Sequence, residues 1–427
     1  MSYNSASYWS SSRGSDDPFE KYKSQRSAQS GLPGFRSRKK GQTARLLRLV
    51  AFVFVFGVLL TIYWQSNGVY SAPGSASHVK PAPVGRPPKP KPSKDTRQIG
   101  KEKATLVMLV RNSELKDALG SMKQIEDRFN RHYQYPWTFL NDEPFTEEFK
   151  THTTRMASGT TEYGLIPREQ WSTPDWISED KFQEVISRMS QEGVIYGDSR
   201  TYRHMCRYNS GFFFRDKLLA KYDWYWRVEP SIGFYCDMTY DPFTFMRENE
   251  KRYSFVIALP EYLPTVETLW KTTQDFAKLH PEHIARNNSL GFIATDPDEG
   301  IQETDYNLCH FWSNFEIADL NFWRGEAYQK YFEFLDKKGG FYYERWGDAP
   351  VHSIAAALFL PRDQVHFFGD VGYEHVPWGR CPLDDESHDT ARCICPFDRK
   401  ESFDHNPWSC QNKWNNFLGL PENPIFE

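Results

Sequence analysis

The chain has 427 residues, is 39% hydrophobic and 25% charged, and carries a formal net charge of −4, an ordinary globular composition. Residues 1–48 hold ten Lys/Arg against three Asp/Glu and residues 65–103 eight against two, which leaves 34 against 51 in residues 104–427, a balance of −17. A body this acidic argues against nucleic acid as partner, while still allowing a local basic pocket for a phosphate.

Residues 1–45, rich in Ser, Gly and charge, read as a disordered cytosolic tail. Next comes an uncharged apolar run, residues 49–64, which Leu46 and Leu47 extend past Arg48. Its length is at the short end for a membrane span and suits thin early-secretory membranes. Arg36, Arg38, Lys39, Lys40, Arg45 and Arg48 precede or border it, and such charges accumulate on the cytoplasmic side. The expectation is an uncleaved signal-anchor over 46–64, with the rest of the chain in the lumen. A cleaved signal peptide would have a shorter charged region. Residues 65–103 include a proline-rich run, 71–94, that reads as an extended stem.

The body, 104–427, is expected to be one large α/β domain. Residues 105–110 (TLVMLV) form a continuous apolar run, as in a strand buried on both faces. Leu115, Ala118, Leu119, Met122, Ile125 and Phe129 recur at helical spacing, and residues 137–140 read as a second strand. Such a βαβ unit places ligands at the carboxyl ends of its strands, where Arg111 and Asn112 lie. Further strands are expected over 223–228, 253–259 and 365–368. Helices are expected over 326–338, stopped by Gly339-Gly340, and from Asp348, with Pro350 in the first turn, to just before Pro361.

The seven cysteines are Cys206, Cys236, Cys309, Cys381, Cys393, Cys395 and Cys410. In a lumenal body they can pair, and the odd number leaves at least one unpaired. Cys393 and Cys395 are too close for a zinc ribbon. Asn287-Asn288-Ser289 is a glycosylation sequon.

Several polar residues stand where chemistry is expected. Glu229 ends an apolar strand directly before Pro230, a good position for a ligand to a hard cation such as Mn²⁺. Sugar-nucleotide transfer needs such a cation to neutralise the leaving diphosphate. His375 follows the last strand and could complete that site. Glu316 closes the aromatic run YNLCHFWSNFEI (306–317). Buried among rings it could face an anomeric carbon, though a helix-surface Glu is the plainer reading. Asp348 is a good N-cap, a reading that suffices structurally and leaves room for a second role near an acceptor hydroxyl. Arg111 could pair with a diphosphate. Tyr202, Arg203, His204 and Arg207 form a polar cluster whose plainest reading is a solvated helix face. The 16% aromatic content suits sugar stacking as well as core packing.

The segments VRN (110–112), YRHMCR (202–207), WRVEP (226–230), YNLCHFWSNFEI (306–317), RWGDAPVHS (345–353) and GYEHVPW (372–378), in this order, closely resemble the fungal Golgi α-1,2-mannosyltransferases of glycosyltransferase family 15. The resemblance spans about 104–427, and the tail, span and stem match that family's type II membrane layout. It implies a GT-A-like catalytic domain with a mixed, mainly parallel sheet flanked by helices. It also implies GDP-mannose as donor, Mn²⁺ as cofactor, a mannose on N- or O-linked glycans as acceptor, and retention of configuration. By position, Glu229 and His375 match the Mn²⁺ ligands and Glu316 the nucleophile or oxocarbenium stabiliser. Asp348 matches a further catalytic candidate near the acceptor. Tyr202, Arg203 and Arg227 match donor or acceptor contacts, and Arg111 a GDP contact. Ser231 departs from the pattern, since some relatives carry Asp there. A lumenal glycoside hydrolase is the rival reading: it shares carboxylates and aromatic platforms but needs no Glu229–His375 cation site.

Overall fold

The computed structural model describes residues 101–423; the expected cytosolic tail, the membrane span and all but the last three residues of the stem lie outside them. Among the described residues no helix is long and apolar enough to cross a membrane.

Twelve strands occur among the described residues: β1 Ala104–Leu109, β2 Trp137–Asn141, β3 Thr161–Leu165, β4 Trp224–Arg227, β5 Ile232–Phe234, β6 Tyr253–Phe255, β7 Ala258–Pro260, β8 Cys309–Phe311, β9 Glu316–Asp319, β10 Val365–Phe367, β11 Tyr373–His375 and β12 Trp378–Arg380. Seven form the main sheet, in the order β10-β6-β9-β4-β1-β2-β3. Its strands pair in parallel except at β9, which runs antiparallel to both β4 and β6. The architecture is therefore α/β with a mixed, mainly parallel sheet. A three-stranded sheet, β12-β11-β5, and the β7-β8 ribbon complete the strand pairing.

The helices that bear on the site are α1 Leu115–Ile125, α2 Arg200–Gly211, α3 Leu269–Leu279, α4 Glu326–Lys338, α5 Asp348–Phe359 and α6 Gln411–Leu418. Residues on α1 pack with Trp224, Trp226 and Ile317 in one core layer. Residues on α2, α3, α4 and α5 pack with Tyr225, Tyr253 and Ala318 in the other. This split is the period-2 alternation of a strand written in WYWR: tryptophans to one side, Tyr225 and Arg227 to the other.

Helix α4 has the expected bounds and ends on Gly339 at φ 76°, the left-handed conformation glycine adopts without strain. Two expectations change. The helix expected to run on to Phe129 is α-helical only to Ile125 and continues as a π turn over Glu126–Asn130. There buried Glu126 accepts from Trp137 Nε1 at 2.7 Å and Asn130 at 2.9 Å. The run 253–259 is two strands in two sheets, β6 beside β9 and β7 beside β8. Residues 253–258 are buried throughout, so hydrophobicity carries no mark of the break.

Three disulfides pair Cys236 with Cys393, Cys309 with Cys410, and Cys381 with Cys395. Cys206 remains a buried thiol.

Candidate active site

Strand register builds the site. Residues directly opposite in an antiparallel pair share a face, and Arg227 on β4 lies opposite Glu316 on β9. Tyr225 and Tyr253 both lie opposite Ala318, two residues along from Glu316. Tyr225, Arg227, Tyr253 and Glu316 therefore project to one side. Helix α5 covers that side and presents Asp348 and His352, four residues apart on one helical face.

Arg227 joins two carboxylates. Its Nη1 donates to Asp348 Oδ2, and its Nε donates to Glu229 Oε1 at 2.9 Å, with Nη2 also on Glu229. Ser313 Oγ donates to the same Asp348 oxygen at 2.8 Å. Exposure increases along the chain of charges, from 6% for the Asp348 side chain to 12% for Arg227 and 30% for Glu229, so Glu229 faces the opening. Burial pushes the Asp348 carboxyl upward, but Arg227 and then His352 outweigh it, and its pKa falls below the usual range. Burial alone would depress Arg227; Asp348, Glu229 and Glu316 overcome this and hold its pKa well above the ordinary arginine value.

Asp348 was expected to be an N-cap. The cap is Gly347, and Asp348 is the first helical residue. Its carboxylate is turned to Arg227 and Ser313, where a buried charge finds stronger partners than its own helix offers.

Glu316 is a strand residue with a side chain fully out of solvent. Tyr225 donates to Oε2 at 2.8 Å and Tyr253 to Oε1 at 3.0 Å; His352 Nδ1 lies 2.8 Å from Oε1. His352 Nε2 meets the Asn209 carbonyl at 3.0 Å. A carbonyl can only accept, so Nε2 carries a proton, and one further proton sits between Nδ1 and Glu316. The pair is thus net neutral. With that pair neutral, Glu229, Asp348 and Arg227 leave the cluster at −1.

His375 ends β11, opposite Ile232 on β5, three residues after Glu229. Its Nδ1 donates to the Val376 carbonyl at 3.1 Å, and its ring packs on Trp312. Ser231, in between, is exposed and adopts φ 63°. Asp is enriched in that backbone region, so the conformation at this turn would admit Asp as readily as Ser.

Tyr202 stacks on Tyr196 at 4.5 Å, with the Arg345 guanidinium 5.2 Å from its ring centre. Burial first, then Cys206, Asp348 and Glu261, raise its hydroxyl pKa well above the ordinary value. Arg203 is not brought to the cluster. It is fully buried, and its guanidinium donates to the carbonyls of Glu344 and Ser199, both at 3.1 Å. The solvated-face reading of residues 202–207 is likewise corrected: Arg207 pairs with Asp336 through two bonds of 2.7 and 2.8 Å, and His204 bonds Tyr342. Arg203, His204 and Arg207 are buried because each finds a partner on an element distant in sequence. Arg111 is exposed at the end of β1.

Sequence reasoning missed Ser313, Tyr225, Tyr253, His352 and Arg345. Only His352 had a local signal, its four-residue spacing from Asp348. A cavity of about 330 Å³ lined in part by Tyr240, His366, Asp370 and Arg380 includes none of the cluster residues.

The family model described as glycolipid 2-alpha-mannosyltransferase matches residues 76–418. The chain is 54% identical over 328 residues to glycolipid 2-alpha-mannosyltransferase 2 of Candida albicans, covering 77% of this chain and 70% of that protein. It is 53% identical over 322 residues to alpha-1,2 mannosyltransferase KTR1 of Saccharomyces cerevisiae, covering 75% and 80%. Its fold is similar to the crystal structure of core-mannan synthase A from Aspergillus fumigatus in its Mn/GDP form, with a TM-score of 0.70, 39% identity, and 77% of this chain and 88% of that one covered.

Proposed function

This chain belongs to the glycolipid 2-alpha-mannosyltransferase family, and from that membership we infer how its carboxylate cluster is used. The protein is an α-1,2-mannosyltransferase with GDP-mannose as donor and the GT-A-like fold of its structural relatives. The observation that carries the assignment of the site is Arg227 tied to Glu229 and Asp348 where β4 ends, since open α/β sheets hold ligands outside the carboxyl ends of their strands.

The Mn/GDP form of the relative indicates a divalent metal in this family. We propose Mn²⁺ for this chain, held by Glu229 and His375. The donor set fits. Glu229 is the most exposed carboxylate of the cluster, and His375 spends Nδ1 on a carbonyl, which leaves the Nε2 lone pair for a metal. The cation would neutralise the diphosphate as it leaves.

The remaining steps belong to the protein's own groups. Arg111 contacts the GDP moiety from the end of β1. With Glu229 given to the cation, Asp348 is the carboxylate left to face the positive charge that develops on the mannosyl ring. Glu316, shut away from solvent, acts by holding Tyr225, Tyr253 and His352 in place beside Arg227 and not by attack. Both side-chain bonds to Asp348 fall on Oδ2, which leaves Oδ1 to accept from the acceptor 2-hydroxyl. Tyr202, with Arg345 against its ring, borders the reacting sugar. The hydroxyl arrives on the face that GDP leaves, which retains the configuration.

The acceptor we propose is a mannose on an N- or O-linked glycan, and the setting the Golgi lumen, with the chain anchored by residues 46–64. Three disulfides among the described residues support an oxidising compartment. The deciding experiment incubates the protein with GDP-mannose, Mn²⁺ and α-methyl mannoside, followed by linkage analysis. The expected product is an α-1,2-linked disaccharide. Release of GDP with mannose passed only to water would overturn the reading.

A further inference from the structure

Helix α3 runs into the sequence Leu279-His280-Pro281-Glu282-His283, none of which belongs to the cluster described above. His280 is the C-cap of α3, and Pro281–His283 form a 3₁₀ turn closed by the His283 N–H on the His280 carbonyl. Residues three apart eclipse one another on such a turn. The two imidazoles accordingly stack, 5.7 Å between centres and 23° between planes, and both lie against Phe276. Glu282 reaches across the same side. Its Oε1 is 3.1 Å from His280 Nδ1 and 3.8 Å from His283 Nε2. The three ligand atoms all lie within 4.8 Å of one another.

One of these atoms is unsatisfied. His283 Nε2 is buried and has no hydrogen-bond partner among the described residues, and its side chain is only 12% exposed. A buried polar atom without a partner costs free energy and calls for an explanation. A metal ion supplies one. In a tetrahedral zinc site with bonds of about 2.0–2.1 Å, neighbouring ligand atoms stand about 3.3 Å apart; the separations of 3.1 and 3.8 Å bracket that value.

We propose that His280, Glu282 and His283 bind Zn²⁺, at a site distinct from the donor-cation site. Two imidazoles and a carboxylate form a ligand set that zinc takes with water in the fourth position. Side-chain exposure of 57% at Glu282 opens that position to solvent. The negative end of α3 lies at the site and favours a cation. Pro281 holds the turn rigid, so little ordering is needed on binding. The next residues tie the site to the catalytic helix. The Ala285 N–H donates to the carbonyl of Leu358 in the last turn of α5, and Phe276 packs on Phe359. Zinc would thus clamp the far end of the helix whose first residue is Asp348, about 16 Å away at 1.5 Å per residue.

The test uses the full chain stripped with chelator, then given saturating Mn²⁺ and GDP to fill the donor site, and titrated with Zn²⁺. One equivalent is expected to bind, and Co²⁺ in its place should give the visible absorption of a tetrahedral site. Loss of two ligands in the His280→Ala/His283→Ala variant should weaken Zn²⁺ binding by more than about 100-fold, beyond the 10–100-fold typical of altering a ligand's neighbours. Mannosyl transfer at saturating Mn²⁺ should be unchanged. Should that variant fold poorly, Glu282→Gln removes only an exposed carboxylate and should still weaken Zn²⁺ binding about tenfold or more. Equal Zn²⁺ affinity in wild type and variants, or no zinc bound to the wild type, overturns the proposal.

Discussion

Glu316 and His352 meet at 2.8 Å with both side chains fully buried, and every other polar atom of the pair is already bonded, to Tyr225, Tyr253 and the Asn209 carbonyl. Removing the carboxylate orphans two hydroxyls and one imidazole nitrogen at once. Glu316→Ala should therefore cost about 3–5 kcal/mol, read as a lower urea midpoint. Glu316→Gln keeps the shape but replaces one acceptor oxygen with a donor, which disturbs the bonds from Tyr225 or Tyr253. It should fold while losing turnover, with GDP-mannose binding retained. Near-normal turnover in that variant would show that Glu316 plays no part in the reaction.

Arg227 touches Asp348 and Glu229 through three nitrogens, a geometry the lysine ammonium cannot copy. We expect Arg227→Lys to retain the fold but lower kcat/KM by about 10- to 100-fold, equal to about 1.4–2.7 kcal/mol of transition-state stabilisation. Wild-type kinetics in this variant would show that charge without the fork suffices.

The proposed cation site rests on one carboxylate and one imidazole, because Ser231 brings no anion. Glu229→Ala should consequently abolish the rise in thermal midpoint that GDP causes in the presence of Mn²⁺, and His375→Ala should shift the Mn²⁺ requirement to much higher concentration. Chelation of wild type should mimic Glu229→Ala. Full activity of Glu229→Ala at limiting Mn²⁺ would overturn the assignment.

Acid should destabilise the fold from the histidine range downward. Burial lowers His204 to about 4 and His366 to about 3, from an ordinary 6.5, and lowers His310 as well. Between those values and 6.5 the unfolded chain binds protons that the folded chain refuses, so stability declines as pH falls through that window. The slope is on the order of 1 kcal/mol per pH unit for each such histidine. Urea midpoints at pH 7.5, 6 and 5 should fall in that order, and His204→Gln should flatten the trend. A flat profile in wild type would contradict the burial of these rings.

Cys309–Cys410 joins β8 to the residue before α6, and Trp414 of α6 packs on Phe255, Phe292 and Phe311. A Cys309→Ser/Cys410→Ser pair should lose about 2–5 kcal/mol, while Cys206→Ser leaves every disulfide intact. Equal denaturation curves for the disulfide variant and wild type would show that the aromatic packing holds α6 alone.

Much of this protein was legible in its residue order. Apolar runs marked β1, β2, β4 and β10, and helical periodicity with glycine and proline punctuation marked α4 and α5. The ordered segments around Arg227, Glu316 and Asp348 pointed to a mannosyltransferase. These signals are local, because strand and helix periods act over a few residues. What only the tertiary structure decided is non-local. The antiparallel insertion of β9 sets Glu316 opposite Arg227 across 89 residues of chain, and the crossing of α5 brings Asp348 to that arginine. The two strands within 253–259 and the buried polar face of α2 were hidden for the same reason. Whether a polar side chain is solvated or buried depends on the partner it meets, and those partners come from elsewhere in the chain.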